Sequence, residues 1–319
     1  MAEEPEELEA ALRQALDIGY RHIDTAQIFG NEAVVGKVIS EYISSGKLKR
    51  EDLFISTKLP FYVYKPADID RCFEQQLKDL CVDYVDLYLI HGPCVAENVY
   101  NEEAKKFEAV TDGRSFKFLD CDHVQIWRCL ETFYEDGRAK AIGLANFNKM
   151  QLQHILDRCA IWPYVLEVES HLYWQQDELV EFCDTNRIVF TAYAPLGSPG
   201  RKVCDPASFW PEGEPLNDPL VIELTKKYNK TPAQILLRFL TQRGLCAIAK
   251  STNPDHLKEN FNIFDFKISD DDMKELRKVP TKTRLFLLEW FFKSQHYPFE
   301  EVDKTEITRL MGHEGQETS

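Results

Sequence analysis

Tyr84-Val85-Asp86-Leu87-Tyr88-Leu89-Ile90-His91 is a short apolar run that reads as a buried strand and closes on a histidine. Working outward, two earlier runs end in the same manner. Leu53-Phe54-Ile55-Ser56-Thr57 closes on Lys58, and Tyr20-Arg21-His22-Ile23 closes on Asp24. The three polar residues fall at nearly even intervals, each about one strand-plus-helix unit from the next. In a (β/α)8 barrel the carboxyl ends of the strands converge on one face, where active sites lie. Taken singly, each is most simply a surface polar residue after a strand. Delivered to one face at this period, an acid, a base and an imidazole read as a catalytic cluster.

The same alternation runs along the chain and indicates βα units around a parallel sheet. Helical patterns cover Leu8 to Ile18, Glu32 to Ile43, Pro66 to Leu80, Val124 to Tyr134, Met150 to Arg158, Pro219 to Tyr228 and Pro232 to Gln242. Strand patterns after His91 cover Ala139 to Ala145, Val165 to Ser170, Val189 to Ala194 and Cys246 to Ile248. This makes seven strands where a barrel of this class has eight. The absent one should precede the first helix, where only a few acidic residues stand, so the expectation is either an N-terminally shortened form with an unpaired edge or another segment that covers the gap. The predicted fold is a (β/α)8 TIM barrel, first strand missing, as one domain over residues 1–319. Its long βα loops include Gly92 to Asp122, and residues 279–319 form an extended C-terminal loop and tail.

Composition narrows the function classes. The 319 residues are 44% hydrophobic, enough for one large core. A net charge of −15 argues against a nucleic-acid surface, which needs clustered Lys and Arg. The nine cysteines include no Cys-x-x-Cys pair, which favours reduced thiols in a cytoplasmic protein over a disulfide framework or zinc site. No His-x-His pair ends a strand, so no metal is expected. The acidic opening Met1-Ala2-Glu3-Glu4-Pro5-Glu6-Glu7 lacks an apolar signal core, and no stretch reaches membrane-spanning length. A monomer is expected.

Five motifs carry a resemblance. They are Gly19-Tyr20-Arg21-His22-Ile23-Asp24-Thr25-Ala26 with Glu32 and Gly36, Asp83 through His91, and Ala141-Ile142-Gly143-Leu144-Ala145-Asn146-Phe147-Asn148. The others are Thr191-Ala192-Tyr193-Ala194-Pro195-Leu196-Gly197-Ser198 and Ile248-Ala249-Lys250-Ser251, continuing to Glu259-Asn260-Phe261. Together and in this order they resemble the aldo-keto reductase family. The resemblance implies a barrel that binds NADPH in extended form without a Gly-rich loop, and no G-x-G-x-x-G occurs here. It implies hydride transfer to a small-molecule carbonyl while a tyrosine protonates the oxygen, with a lysine and an aspartate tuning that tyrosine and a histidine orienting the carbonyl.

Asp24, Lys58 and His91 match three of those catalytic positions, but the tyrosine position is Phe29. Phenylalanine has the ring without an ionisable hydroxyl, and loss of a general acid typically costs ~10²–10⁴-fold in rate. The implied cofactor contacts are Asp24, Asn146, Glu167, Tyr193, Leu196, Ser198, Lys250, Ser251, His256, Glu259 and Asn260. Three depart from the family pattern. Ala145 stands where a serine helps Asn146 hold the nicotinamide carboxamide. Glu167 replaces a glutamine and accepts without donating unless protonated. His256 replaces an arginine beside the 2′-phosphate and lacks its fixed bidentate fork. Tyr193 would stack on the nicotinamide. Tyr62 and Tyr64 most simply line a substrate loop. Trp127, Trp162, Trp174 and Trp210 most simply pack. The run Leu285 to Phe292 lies where the family carries a C-terminal substrate loop, and reads as a wall for a hydrophobic carbonyl compound. The alternative is a catalytically silent family member that keeps the barrel for binding or structure.

Overall fold

The computed structural model describes residues 4–112, 115–204, 206 and 208–311. Its centre is a seven-stranded parallel sheet that curves into a nearly closed barrel. The strands are β1 (His22–Asp24), β2 (Phe54–Leu59), β3 (Leu87–Ile90), β4 (Ile142–Ala145), β5 (Val165–Glu169), β6 (Val189–Tyr193) and β7 (Cys246–Ile248). They lie side by side in chain order, so β1 and β7 are the two edges. Among the described residues no eighth strand joins them. Residues 1–3, part of the stretch expected to lack that strand, lie outside the described set.

Register explains how the polar residues reach one face. Asp24 pairs with Ser56, and Lys58 with Leu89. Successive residues of a strand alternate faces, so Asp24 and Lys58 end on neighbouring strands with both side chains turned inward. Away from the polar residues at the site the strands are apolar on both faces, as in a sheet covered by helices. Ile55, Leu89, Ile142, Leu144 and Leu166 are fully buried.

The helices form where caps and apolar stripes coincide. Asn148 with Gln151, and Thr231 with Gln234, make reciprocal capping boxes at the starts of the helices Lys149–Leu156 and Pro232–Gln242. The first helix, Pro5–Ile18, ends at Gly19, whose φ of +125° suits glycine. Tyr20 then donates its hydroxyl to the Leu257 carbonyl and packs against Phe261, which ties the chain's start to the helix Pro254–Phe261 beyond β7.

Among the described residues five helices go beyond the sequence reading: Asp177–Thr185, Arg201–Cys204, Pro254–Phe261, Asp270–Lys278 and Lys304–Leu310. Each spans nine residues or fewer, too few turns for an apolar stripe to stand out. The segment Gly92 to Asp122 is partly ordered. Val95–Ala96 pairs with Phe118–Leu119, and Asn98–Asn101 pairs with Lys106–Ala109. Among the tryptophans, Trp127 is fully buried as read, but Trp162 is not a packing residue. It is 53% exposed beside Tyr164, before β5 at the end of the barrel opposite Asp24 and Lys58. Among the described residues the cysteines are unpaired thiols, no group of His, Cys, Asp or Glu has metal-binding geometry, and no helix is long and apolar enough to cross a membrane.

Candidate active site

The cluster read from the strand ends is assembled. Lys58 Nζ donates to Asp24 Oδ2 at 2.6 Å and to the Thr25 carbonyl at 3.1 Å, and its side chain is almost wholly buried. The other Asp24 oxygen accepts from Ser56 Oγ at 2.6 Å. A buried ammonium needs such partners, because leaving it unpaired costs several kcal/mol. Burial alone would lower the Lys58 pKa. Asp24 and then Glu167 outweigh it, and the pKa is raised, so the lysine is charged.

Glu167 is the second carboxylate. It reaches inward from β5, with Oε1 3.3 Å from Lys58 Nζ. Burial, and after it the charge of Asp24, push its carboxyl up to about 8, with Lys58 partly opposing. The sequence reading saw a reversed amide contact at this position and did not foresee the contact with Lys58.

Phe29 occupies the position beside this pair. Its ring centroid is 5.7 Å from Lys58 Nζ and 5.7 Å from the His91 ring, which it meets edge-on. Phe29 is 43% exposed, so the ring lies between the buried charges and the mouth. Burial, then Lys58, hold the His91 imidazole down to about 3, so it is neutral at physiological pH. Its Nδ1 is buried without a partner. Tyr62 does not replace the missing hydroxyl, since its own donates to Gln27 Oε1 at 2.8 Å.

Asn146 and Tyr193 stand next to this cluster. Asn146 donates from Nδ2 to the His91 carbonyl at 2.9 Å and accepts from the Tyr193 hydroxyl at 2.8 Å. Its backbone has φ +62°, a conformation asparagine tolerates better than most residues. An amide has four hydrogen-bonding positions, and these contacts use two of them. Leu196 and Ser198 follow Tyr193 in the loop after β6, with Ser198 at φ +46°.

The remaining cofactor candidates gather after β7. Ser251 Oγ accepts from the Asn253 backbone, and the Asn253 side chain caps the helix Pro254–Phe261 by accepting from Asp255 N and His256 N. Lys250 and His256 are exposed there, with Ser251 half-buried. Anions favour such a helix start. Glu259 and Asn260 follow on the same helix. Asn260 is 7% exposed, and its Oδ1 is buried with no partner. An orphaned amide acceptor suits the exocyclic amine of an adenine, so the residues fit an extended dinucleotide at both ends.

Sequence reasoning missed Glu169, two residues beyond Glu167 on the same inward face of β5. It is fully buried and accepts from Leu285 N at 2.6 Å, Phe286 N at 3.1 Å and His171 Nε2 at 3.0 Å, with Arg284 at 3.6 Å. The period-two spacing from Glu167 was the available signal. Glu169 roots the C-terminal segment over the mouth. Phe286 stands edge-on to Tyr193 and to Trp210, so Trp210 is part of the mouth. Further out, Phe291 meets Phe61, Phe116 and Phe118, and joins the C-terminal segment to the Gly92 to Asp122 insertion.

With this geometry in view, comparison with known proteins decides the lineage. The profile of the "Aldo/keto reductase family" matches residues 2–280. This chain belongs to the aldo/keto reductase family. It is 36% identical to "Aldo-keto reductase family 1 member A1" of Bos taurus over 311 residues, 97% of this chain and 90% of the relative. It is 38% identical to "Aldo-keto reductase family 1 member A1-A" of Danio rerio over 284 residues, covering 89% and 85% of the two chains. The structure titled "Structure of the Aldose Reductase from Schistosoma japonicum" superposes with a TM-score of 0.84 at 36% identity, covering 94% of this chain and 92% of that one. The fold expected from the sequence is therefore that of an aldose reductase barrel, and the family is one of oxidoreductases acting on carbonyl groups.

Proposed function

We propose that this protein is an NADPH-dependent reductase of aldehydes or ketones whose proton delivery is impaired by Phe29. The carrying observation is the buried Asp24–Lys58 pair beside a neutral His91, an arrangement with no structural need for the imidazole to be left with an unpaired nitrogen. When bound, NADPH would supply the hydride. Asn146 and Tyr193 would orient the nicotinamide, and Lys250, Ser251 and His256 would face the 2′-phosphate. His91 would orient the carbonyl oxygen by donating an N–H. A neutral imidazole is a weak acid, so the proton would come from solvent past the exposed Phe29. The aromatic mouth, including Phe286 and Phe291, favours a hydrophobic carbonyl compound. The same reading takes the protein as a cytoplasmic monomer without nucleic-acid or membrane partners.

A second reading is a binding protein that retains the dinucleotide site and has lost the reaction, favoured by the apolar Phe29 ring in the proton donor's place. NADPH titration by fluorescence quenching, followed by single-turnover oxidation with a reactive aldehyde, separates the two. Binding with slow aldehyde-dependent oxidation is expected. Binding with no oxidation supports the second reading, and no binding refutes both.

A further inference from the structure

Lys58 carries one positive charge and faces two carboxyl groups, Asp24 at 2.6 Å and Glu167 at 3.3 Å. The other groups around Glu167 do not redress that balance. His91 is neutral, Tyr193 on β6 is held un-ionised by burial, and burial also raises the Cys246 thiol on β7. Asn146 and Ser56 contribute dipoles without charge. The layer beneath Asn146 and Tyr193 thus carries one more acidic group than it has cations. Glu167 is 5% exposed, so water screens it poorly.

A nicotinamide ring is neutral when reduced and carries a positive charge when oxidised. A buried carboxyl group that can ionise beneath the ring distinguishes the two forms by charge alone. A glutamine at that position does not.

We propose that Glu167 makes this site selective for the oxidised cofactor, so that the chain binds NADP⁺ in preference to NADPH. This rests on the reading that the barrel mouth takes the dinucleotide. It gives the protein a response to cellular redox state that does not depend on the missing tyrosine. The cation takes over part of the role that the proton on Glu167 plays in the free protein.

A proton count follows. Near neutral pH the free protein holds a proton on Glu167, because burial and Asp24 push that carboxyl up to about 8. NADP⁺ favours the ionised form, so its binding releases a proton to the buffer. NADPH has no such effect. Below that pKa the proton must be removed before the charge attraction is realised, so NADP⁺ affinity falls as pH falls. Above it the affinity levels off. The preference for NADP⁺ therefore widens from pH 6 to pH 8.5.

The test is isothermal titration of the full chain with NADP⁺ and with NADPH, in two buffers of different ionisation enthalpy. Opposite unit charges a few ångströms apart in a poorly screened site correspond to a preference of roughly tenfold or more at pH 8.5. Proton release near pH 7 is expected with NADP⁺ only. In Glu167→Gln the ratio of the two dissociation constants should collapse towards one and the proton release should vanish. Should that variant fail to fold, proton release by the unaltered chain still decides. A Glu167 that only braces Lys58 would leave the ratio unmoved in Glu167→Gln, which overturns the proposal. Equal affinity at pH 8.5, or equal proton release by both nucleotides, overturns it as well. If neither nucleotide binds, the cofactor reading falls together with the inference.

Discussion

Phe29→Tyr restores a hydroxyl to a ring that lies 5.7 Å from Lys58 Nζ and 5.7 Å from the His91 ring. Phe29 is 43% exposed, so an added hydroxyl displaces no core residue. The Lys58 ammonium favours a phenolate and lowers the phenol's pKa, which makes it a better acid at neutral pH. Restoring a positioned acid typically gives ~10²–10⁴-fold. The structure argues for the lower part of that range, because Lys58 already shares its charge between Asp24 and Glu167. A gain on the order of 10²-fold corresponds to about 2.7 kcal/mol of barrier. Phe29→Tyr combined with Glu167→Gln should match the single change near neutral pH, where Glu167 holds its proton, and exceed it above about pH 8, where an ionised Glu167 competes for the Lys58 ammonium. The assay is single-turnover NADPH oxidation with one reactive aldehyde, with bound NADPH confirmed for each form. A Phe29→Tyr variant that binds NADPH yet shows no gain would refute the reasoning and place the defect in geometry.

Glu32 is buried and accepts from Thr57 Oγ1 and Gln76 Nε2, yet burial pushes it up to about 7. Its folded pKa exceeds the unfolded value of 4.5, so the folded state holds the extra proton and stability falls as pH rises from about 4.5 to 7. Glu32→Gln should remove that decline, worth on the order of 2–3 kcal/mol, in denaturant melts at pH 5 and pH 8. Glu169→Ala leaves His171 and the backbone N–H groups of Leu285 and Phe286 without their acceptor, with an expected loss of about 3–5 kcal/mol and new proteolytic cleavage between residues 283 and 301. His256→Arg supplies the bidentate cation and should tighten NADPH relative to NADH by roughly tenfold or more, read by competitive titration.

The barrel was legible because its strands are short apolar runs ending in chemistry-bearing residues. Asp24, Lys58 and His91 could be recognised before any coordinates, and so could the absence of a hydroxyl at Phe29. Glu167 was legible as a substitution but not as a neighbour of Lys58. That contact joins β5 to β2, and no local pattern encodes how far a side chain leans across a barrel. Glu169 escaped for a similar reason, because its partners Leu285 and Phe286 lie more than a hundred residues away and offer only backbone N–H groups. The aromatic mouth was half visible. The run Leu285 to Phe292 stood out, while Phe61, Phe116 and Phe118 sit in irregular segments without periodicity. Trp162 shows the reverse error, since large aromatic residues are usually buried and this one is not.

A closed barrel has no ends, but among the described residues the sheet runs from β1 to β7 and has two. β1 is three residues long and, among the described residues, is paired to the sheet on one side, by β2. Local opening of a protein starts where the fewest bonds must break together, and Asp24 sits on that outermost strand. Each excursion of β1 therefore carries the carboxylate away from Lys58, which stays anchored on the interior strand β2. The integrity of the Asp24–Lys58 pair becomes a matter of edge breathing, with a lifetime set by a handful of hydrogen bonds. Amide exchange at His22 to Asp24 should be faster than at Ser56 to Leu59, and a ligand that contacts Asp24 should slow it before it changes any other part of the barrel.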